Sequence, residues 1–83
     1  MNQIIIQLIC PDQKNIIAKL TKILSNYDNN ILSIEQHVDS KKFYIRVLSE
    51  FLLEKNKFEL LKNELLSLNM NLNGKISFLN PDK

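Results

Sequence analysis

The sequence is poor in the residue types that most often build catalytic or cross-linked sites. Its 83 residues include one cysteine, one histidine, one glycine and no tryptophan. The single cysteine, Cys10, cannot form a disulfide within the chain and fits a reducing compartment. A Gly-rich phosphate loop, a CxxC pair, an HExxH motif and a Ser-His-Asp order are all absent. The chain alone therefore has few of the residues and none of these motifs that support catalysis, and no catalytic residue is assigned.

Charge of one sign and long apolar runs are also scarce. The chain has 11 basic and 9 acidic residues, a net charge of +2. This balance does not favour binding to nucleic acid or to an anionic membrane. No stretch approaches the roughly 18 apolar residues that a membrane span requires, and Met1-Asn2-Gln3 lacks the positive region of a signal peptide. We expect a cytoplasmic protein.

The length suits one domain and is too short for two. We expect that domain over residues 1–80, with residues 81–83 as a tail or the start of a linker to a further domain. A chain of this size buries roughly 60% of the surface that its unfolded form exposes. A deep catalytic cleft would therefore need a partner chain or a second domain.

The pattern begins with a strand that leads into a helix. Gln3 to Cys10 is rich in isoleucine, and its two faces are both partly apolar, which predicts a central strand ending at Pro11. Asn15 to Tyr27 has apolar residues at helical spacing, and we expect Asp12 or Asn15 to cap this helix. The turn between this strand and this helix exposes backbone amides at the helix start, where a small carboxylate can bind.

The middle of the chain predicts a β-hairpin. A two-residue turn at Ser40-Lys41 sets Glu35 opposite Arg46 and Asp39 opposite Lys42, as cross-strand pairs of opposite charge. The same register collects one apolar face: Ile34, Val38, Phe43, Ile45 and Val47.

Two polar side chains on the first strand of the hairpin are candidates for a specific role. Gln36 points toward the apolar face, where it needs hydrogen-bond partners. His37 alternates to the other face beside Tyr44, either as a simple strand residue stacked on that ring or as a ligand or interface contact.

The second half predicts another helix and a last strand. Residues 51–69 are expected to be helical, with a buried stripe of Phe58, Leu61, Leu65 and Leu68. Leu72 to Leu79 reads as a strand with Gly74 inside it. The order strand-helix-strand-strand-helix-strand indicates a ferredoxin-like α+β sandwich, a four-stranded antiparallel sheet with two helices on one face.

The sheet face away from the helices is expected to have a partner. Ile5, Ile9, Tyr44 and Leu48 lie on it, and a small domain rarely leaves such a strip bare. Edge strands are a second surface for association. Both indicate a homodimer or higher homo-oligomer, through the sheet edge or the open sheet face, or docking on another domain.

Two other classes fit less well. A metal site would need Cys10, Asp12, His37 and Asp39, whose spacing follows no known ligand pattern. An RNA-recognition module has the same element order, and Lys42-Phe43-Tyr44-Ile45 weakly matches its aromatic third strand. However, Phe43 falls on the inner face in the predicted register, which leaves only Tyr44 for a base.

Two motifs resemble those of a known family. Cys10-Pro11-Asp12-Gln13-Lys14-Asn15-Ile16-Ile17-Ala18 resembles the first loop and helix of ACT domains, the small regulatory modules of amino-acid and one-carbon metabolism. Glu35-Gln36-His37, then Asp39, then Phe43-Tyr44-Ile45-Arg46 resembles the N-terminal ACT domain of formyltetrahydrofolate deformylase. Asn15 stands where that family has glycine, and Lys14 where it has proline.

The resemblance implies a regulatory and oligomerising role. The effector-binding loop would comprise Pro11, Asp12, Gln13, Lys14, Asn15 and Ile16, with an amino acid as effector and no cofactor. Gln36 and His37 would be the family-signature strand. A parent enzyme would hydrolyse 10-formyltetrahydrofolate to tetrahydrofolate and formate for purine synthesis, through a separate formyltransferase-like domain. A stand-alone ACT protein that senses an amino acid or docks on another enzyme is the alternative.

Overall fold

A computed structural model describes residues 2–51 and 55–81, with side chains for 2–51 and 56–81. The elements are β1 (Asn2–Pro11), α1 (Ile16–Asn26), β2 (Asn30–Asp39), β3 (Lys42–Phe51), α2 (Lys55–Asn71) and β4 (Lys75–Leu79). The strands form one antiparallel sheet in the order β2-β3-β1-β4. The predicted ferredoxin-like fold is confirmed.

The central position of β1 is confirmed by its pairing with β3 on one side and β4 on the other. On the helix side Ile6 and Leu8 are 0% and 1% exposed, because both helices pack on this face. The strand ends at Pro11, whose Cα lies opposite Lys42. Proline has no amide to donate; the next residue, Asp12, donates its amide instead, to the carbonyl of Lys41.

The hairpin register is confirmed pair by pair from Ile34–Val47 to Asp39–Lys42. Ser40 and Lys41 have φ angles of 52° and 65°, the two positive values that a type I′ turn requires. The cross-strand charges face each other as expected. Within the described residues, however, neither Glu35–Arg46 nor Asp39–Lys42 closes to salt-bridge distance.

The outer strand β2 is exposed along almost its whole length. Ile34 and Val38 share a face with buried Val47 and Phe43, yet they are 37% and 54% exposed. Gln36, expected to point into the core and to need partners there, is also exposed. The helices cover the central strands and leave this edge strand outside, so its apolar pattern does not produce burial.

The starts of α2 and β4 differ from the sequence-based expectation, whereas the end of α1 agrees with it. Phe51 ends β3 and is buried there, and α2 begins at Lys55; residues 52–54 of the expected helix lie outside the described residues. Gly74 precedes β4 rather than lying within it. Asp28, with φ 55°, ends the first helix in the left-handed conformation that its Asp-Asn-Asn cluster predicted.

The core is contributed by one stripe of each helix and one face of the sheet. Its fully buried members are Ile6, Leu8, Leu20, Leu24, Val47, Leu61, Leu65 and Leu72, with the small polar Ser49 among them. Of the expected α2 stripe, Leu61, Leu65 and Leu68 are buried and Phe58 packs against the core from its edge. In the part of the chain with described coordinates, no helix is long and apolar enough to cross a membrane. Asp82 and Lys83 of the expected tail are outside that part.

Candidate functional site

The first half of the loop between β1 and α1 is held by hydrogen bonds to other parts of the fold. The Asp12 amide donates to the Lys41 carbonyl at 2.9 Å, which joins the loop to the hairpin turn. The Gln13 side-chain amide donates to the carbonyls of Pro11 at 3.1 Å and Leu72 at 3.3 Å. The loop is thereby fixed between the hairpin and the end of α2.

Asn15 starts the helix from the left-handed region, with φ 67° and ψ 20°. Asparagine reaches this region at lower cost than most residues, although glycine does so most easily. A capping residue normally has extended dihedrals that aim its side chain at the helix amides. Neither Asn15 nor Asp12 makes a side-chain cap here, so the expected cap was wrong. Only the Asn15 carbonyl takes part, accepting from the Lys19 amide at 3.0 Å.

The uncapped helix start opens into a shallow cavity of about 440 Å³. Its lining residues are Gln13, Asn15, Ile16, Ile17, Ala18 and Phe43. The amides of Ile17 and Ala18 precede the first intrahelical bond, and the first turn of α1 carries no acidic side chain. Backbone amides and the positive end of the helix dipole both favour an anion at this place.

The predicted loop residues divide among different surroundings. Gln13, Asn15 and Ile16 line this cavity, whereas Pro11 lines a second cavity on the other side of the sheet. Asp12 and Lys14 are exposed and line neither. The sequence analysis did not assign Ile17, Ala18 or Phe43 to the site. The amide positions at a helix start and the predicted inward face of Phe43 were the signals that could have found them.

Cys10 lies under the loop and is 2% exposed. Burial raises the pKa of its thiol, and the negative charge of Asp12 raises that pKa further. A thiol held in its protonated form is a poor nucleophile and a poor metal ligand. Cys10 therefore acts as a small apolar core residue.

The signature strand residues point to opposite faces and do not join the loop cavity. His37 lies on the open sheet face, stacked on Tyr44 with ring centroids 4.7 Å apart and planes within 5°. Gln36 lies on the helix-side face of the exposed edge strand. The structure thus places His37 over a different concavity, of about 270 Å³, together with Gln7, Glu35 and Arg46.

The metal and RNA alternatives find little support in this geometry. Cys10 is buried on the helix side, whereas His37 lies on the open face. Residues 2–51 and 55–81 contain no cluster of three or more His, Cys, Asp or Glu side chains suited to a metal ion. Phe43 is 8% exposed, so a base cannot stack on it, and Tyr44 is already covered in part by His37.

The fold and its loop define the class: a small βαββαβ domain whose first loop presents helix amides. The family model for the ACT domain matches residues 2–78, and the chain belongs to this family. No curated protein matches the chain by sequence.

Solved structures share the fold at low identity. Formyltetrahydrofolate deformylase from Burkholderia mallei matches with a TM-score of 0.87 and 16% identity over 96% of this chain and 28% of that one. The enzyme from Pseudomonas putida matches with a TM-score of 0.85 and 14% identity, over 99% of this chain and 30% of that one. An ACT domain protein from Streptococcus pneumoniae matches with a TM-score of 0.78 and 26% identity, over 95% of this chain and 89% of that one. The chain spans less than a third of the deformylases that it matches.

Proposed function

We propose that the chain is the regulatory and oligomerising ACT domain of a protein of formyltetrahydrofolate deformylase type. The observation that carries this proposal is the β1–α1 loop: Asn15 occupies, in the left-handed conformation, the place where that family has glycine. The loop backbone keeps the form that a glycine would allow, and helix amides remain open to a cavity. The deformylase structures support the proposal through their fold.

The proposed effector is a free amino acid that binds through its carboxylate. The amides of Ile17 and Ala18 would receive the carboxylate, and Gln13 and Phe43 would contact the rest of the molecule. No acidic side chain lines this cavity, so no fixed negative charge opposes an anion there.

Amino-acid titrations against thermal stability test this effector. A ligand at 100 times its dissociation constant adds about 2.7 kcal/mol to the free energy of unfolding. Ala18→Glu should abolish the shift, because its carboxylate would repel the ligand, whereas the neutral control Ala18→Gln should retain it. If no amino acid stabilises the unaltered chain, the sensor role is wrong for this chain.

Oligomers are proposed to form through the β2 edge or through the open sheet face. In the described sheet, one edge of β2 has no neighbouring strand, and Val38 of β2 is 54% exposed. On the open face Ile9 is 40% exposed. Sedimentation of Val38→Glu and Ile9→Glu separates the two: the substitution in the true interface should yield monomers, while the other leaves the assembly intact. If both variants keep the assembly of the unaltered chain, neither surface forms the interface.

The parent reaction proposed is hydrolysis of 10-formyltetrahydrofolate to tetrahydrofolate and formate, which feeds purine synthesis. A formyltransferase-like domain would carry that chemistry, and this chain by itself should release no formate. Formate release by the pure chain would contradict the assignment. An open reading frame for such a domain directly after Lys83 in the gene would support it.

A stand-alone ACT protein that docks on another enzyme or senses an amino acid is the second candidate. It is favoured by the Streptococcus pneumoniae ACT domain protein, because 89% of that chain is covered by the match. A stop codon directly after Lys83 in the gene would favour this candidate over the deformylase type.

A further inference from the structure

The end of β1, the hairpin turn and the turn before β4 meet at one end of the sheet and line a second cavity, of about 470 Å³. The end of β1 supplies Pro11, the hairpin turn supplies Lys41, and the turn before β4 supplies Asn73. This cavity shares no lining residue with the loop cavity at the start of α1. It is therefore a separate site from the one assigned to an amino-acid effector.

Three lysines converge on this cavity from different elements: Lys41 from the turn, Lys42 from β3 and Lys75 from β4. Lys42 is the Cα partner of Pro11, and Lys75 is the Cα partner of Ile9. Both pairs lie on the open sheet face. Ile9 also pairs with Tyr44, which lies on that face, and Pro11 has the same orientation in β1 as Ile9. The register thus fixes both strand lysines beside the apolar wall that Pro11, Ile9 and Tyr44 form.

The charge around the cavity is strongly one-sided. Its lining has three ammonium groups and no carboxylate. In the described part of the chain, none of the three lysines closes to salt-bridge distance from an acidic side chain. Asp39 and Asp12 lie nearby but outside the lining, and Asp39 accepts a hydrogen bond from the Ser40 hydroxyl at 3.3 Å. The apolar wall strengthens the positive field by excluding water from one side.

Hydrogen bonds within and between these segments hold this arrangement. The Asp12 amide binds the Lys41 carbonyl at 2.9 Å, and the Gly74 amide binds the Asn69 carbonyl at 2.9 Å. Gly74 has another role: a Cβ at this position would lie 3.0 Å from the Ile9 carbonyl oxygen. Without a side chain, the turn approaches β1 closely and delivers Lys75 opposite Ile9.

We propose that this cavity binds a phosphorylated small molecule. Lysine binds phosphate as a flexible point charge, and three ammonium groups that make no salt bridge within the described residues match two or more negative charges on one ligand. The Tyr44 ring and Ile9 offer an apolar surface for the uncharged part of the same molecule. The site is a binding site only, and no chemical step is assigned to it.

An NMR titration of the 15N-labelled chain with pyrophosphate at low salt tests the proposal. We expect saturable shifts at the amides of Lys41, Lys42, Tyr44 and Lys75, which weaken as sodium chloride is added. Lys42→Gln and Lys75→Gln should each weaken binding by about tenfold, the value of one charge-assisted hydrogen bond. Lys75→Arg should retain binding.

Lys19→Gln and Lys57→Gln are the matched controls, because each removes one exposed lysine from a helix away from the cavity. They should change the affinity for pyrophosphate by less than twofold. Equal weakening by the controls would show general charge screening and overturn the proposal. Shifts centred on Ile17 and Ala18 would overturn it as well, since the anion would then lie at the start of α1. The titration is repeated with citrate and with acetate. If citrate binds as tightly as pyrophosphate, the site is not specific for phosphate. If acetate binds as tightly as pyrophosphate, the site does not recognise multiple charges.

Discussion

The Asp12 amide and the Lys41 carbonyl are joined by a hydrogen bond of 2.9 Å, and this bond connects the β1–α1 loop to the hairpin turn. Asp12 belongs to the loop that leads into α1, and Lys41 lines the basic cavity on the other side. Movement of the loop would therefore displace one of the three lysines.

Asn15 should tolerate glycine but not a branched side chain. Asn15→Val is expected to lower the free energy of unfolding by about 1–2 kcal/mol, because the left-handed region is costly for a β-branched residue. Asn15→Gly should stay within about 0.5 kcal/mol, since relief of the backbone offsets the added entropy of the unfolded chain. Urea denaturation measures both. Asn63→Val, at an exposed position in α2, is the control and should cost less than Asn15→Val.

Leu65 and Leu66 are neighbours in α2 with opposite expectations. Leu65 is 1% exposed and Leu66 is 43% exposed. Leu65→Ala should cost about 2–5 kcal/mol of unfolding free energy, because it leaves a cavity in the core. Leu66→Ala should change stability by about 0.5 kcal/mol or less. Equal effects in urea denaturation would contradict the described orientation of α2.

Gly74 should not accept even one added carbon. A Cβ there would lie 2.9 Å from the Leu8 Cδ1 and 3.0 Å from the backbone oxygen of Ile9. A side chain can give way, but the β1 backbone cannot, so Gly74→Ala should cost about 1–3 kcal/mol. Asn73→Gly is the neighbouring control, because Asn73 has φ 55° and glycine adopts that angle freely. Thermal unfolding should show a clear loss for Gly74→Ala alone.

Cys10 should make the chain less stable in alkali. Burial first, and the charge of Asp12 second, raise the pKa of the folded thiol above the ordinary 9.0. The unfolded thiol ionises first as the pH rises, so stability from Cys10 is complete below the unfolded pKa and is lost as the pH passes through the folded pKa. Between pH 8 and 10 the Cys10→Ala variant should therefore lose less stability than the unaltered chain. Parallel curves in urea denaturation would exclude this contribution.

Much of the fold could be predicted from local pattern. The pairing from Ile34–Val47 to Asp39–Lys42 followed from a two-residue turn at Ser40-Lys41 and from alternation, because a shift of one residue would reverse every side chain in the strand. The core positions of α1 and α2 followed from helical spacing in the same way. The β1–α1 loop was recognisable as a helix start, but the cap failed because sequence does not specify the dihedrals of Asn15.

Exposure on β2 could not be predicted, because it depends on what lies outside the strand. Ile34 and Val38 alternate as buried residues do, yet the helices stop short of this edge. The same limit applies to Gln36, whose apolar neighbours in the sequence suggested a buried amide. Alternation reports which face a side chain takes, and it does not report whether another element covers that face.

The sequence by itself determined the order of elements, the register of the β2–β3 hairpin and the two faces of each element, because these depend on neighbours close together in the chain. Only the tertiary structure decided which faces are covered and which distant residues meet. Lys41, Lys42 and Lys75 surround one cavity because the hairpin turn, the start of β3 and the start of β4 lie at the same end of the sheet. Lys75 is separated from the other two by α2 and most of the second half of the chain, and a pattern with a period of two or 3.6 residues contains no information about that approach.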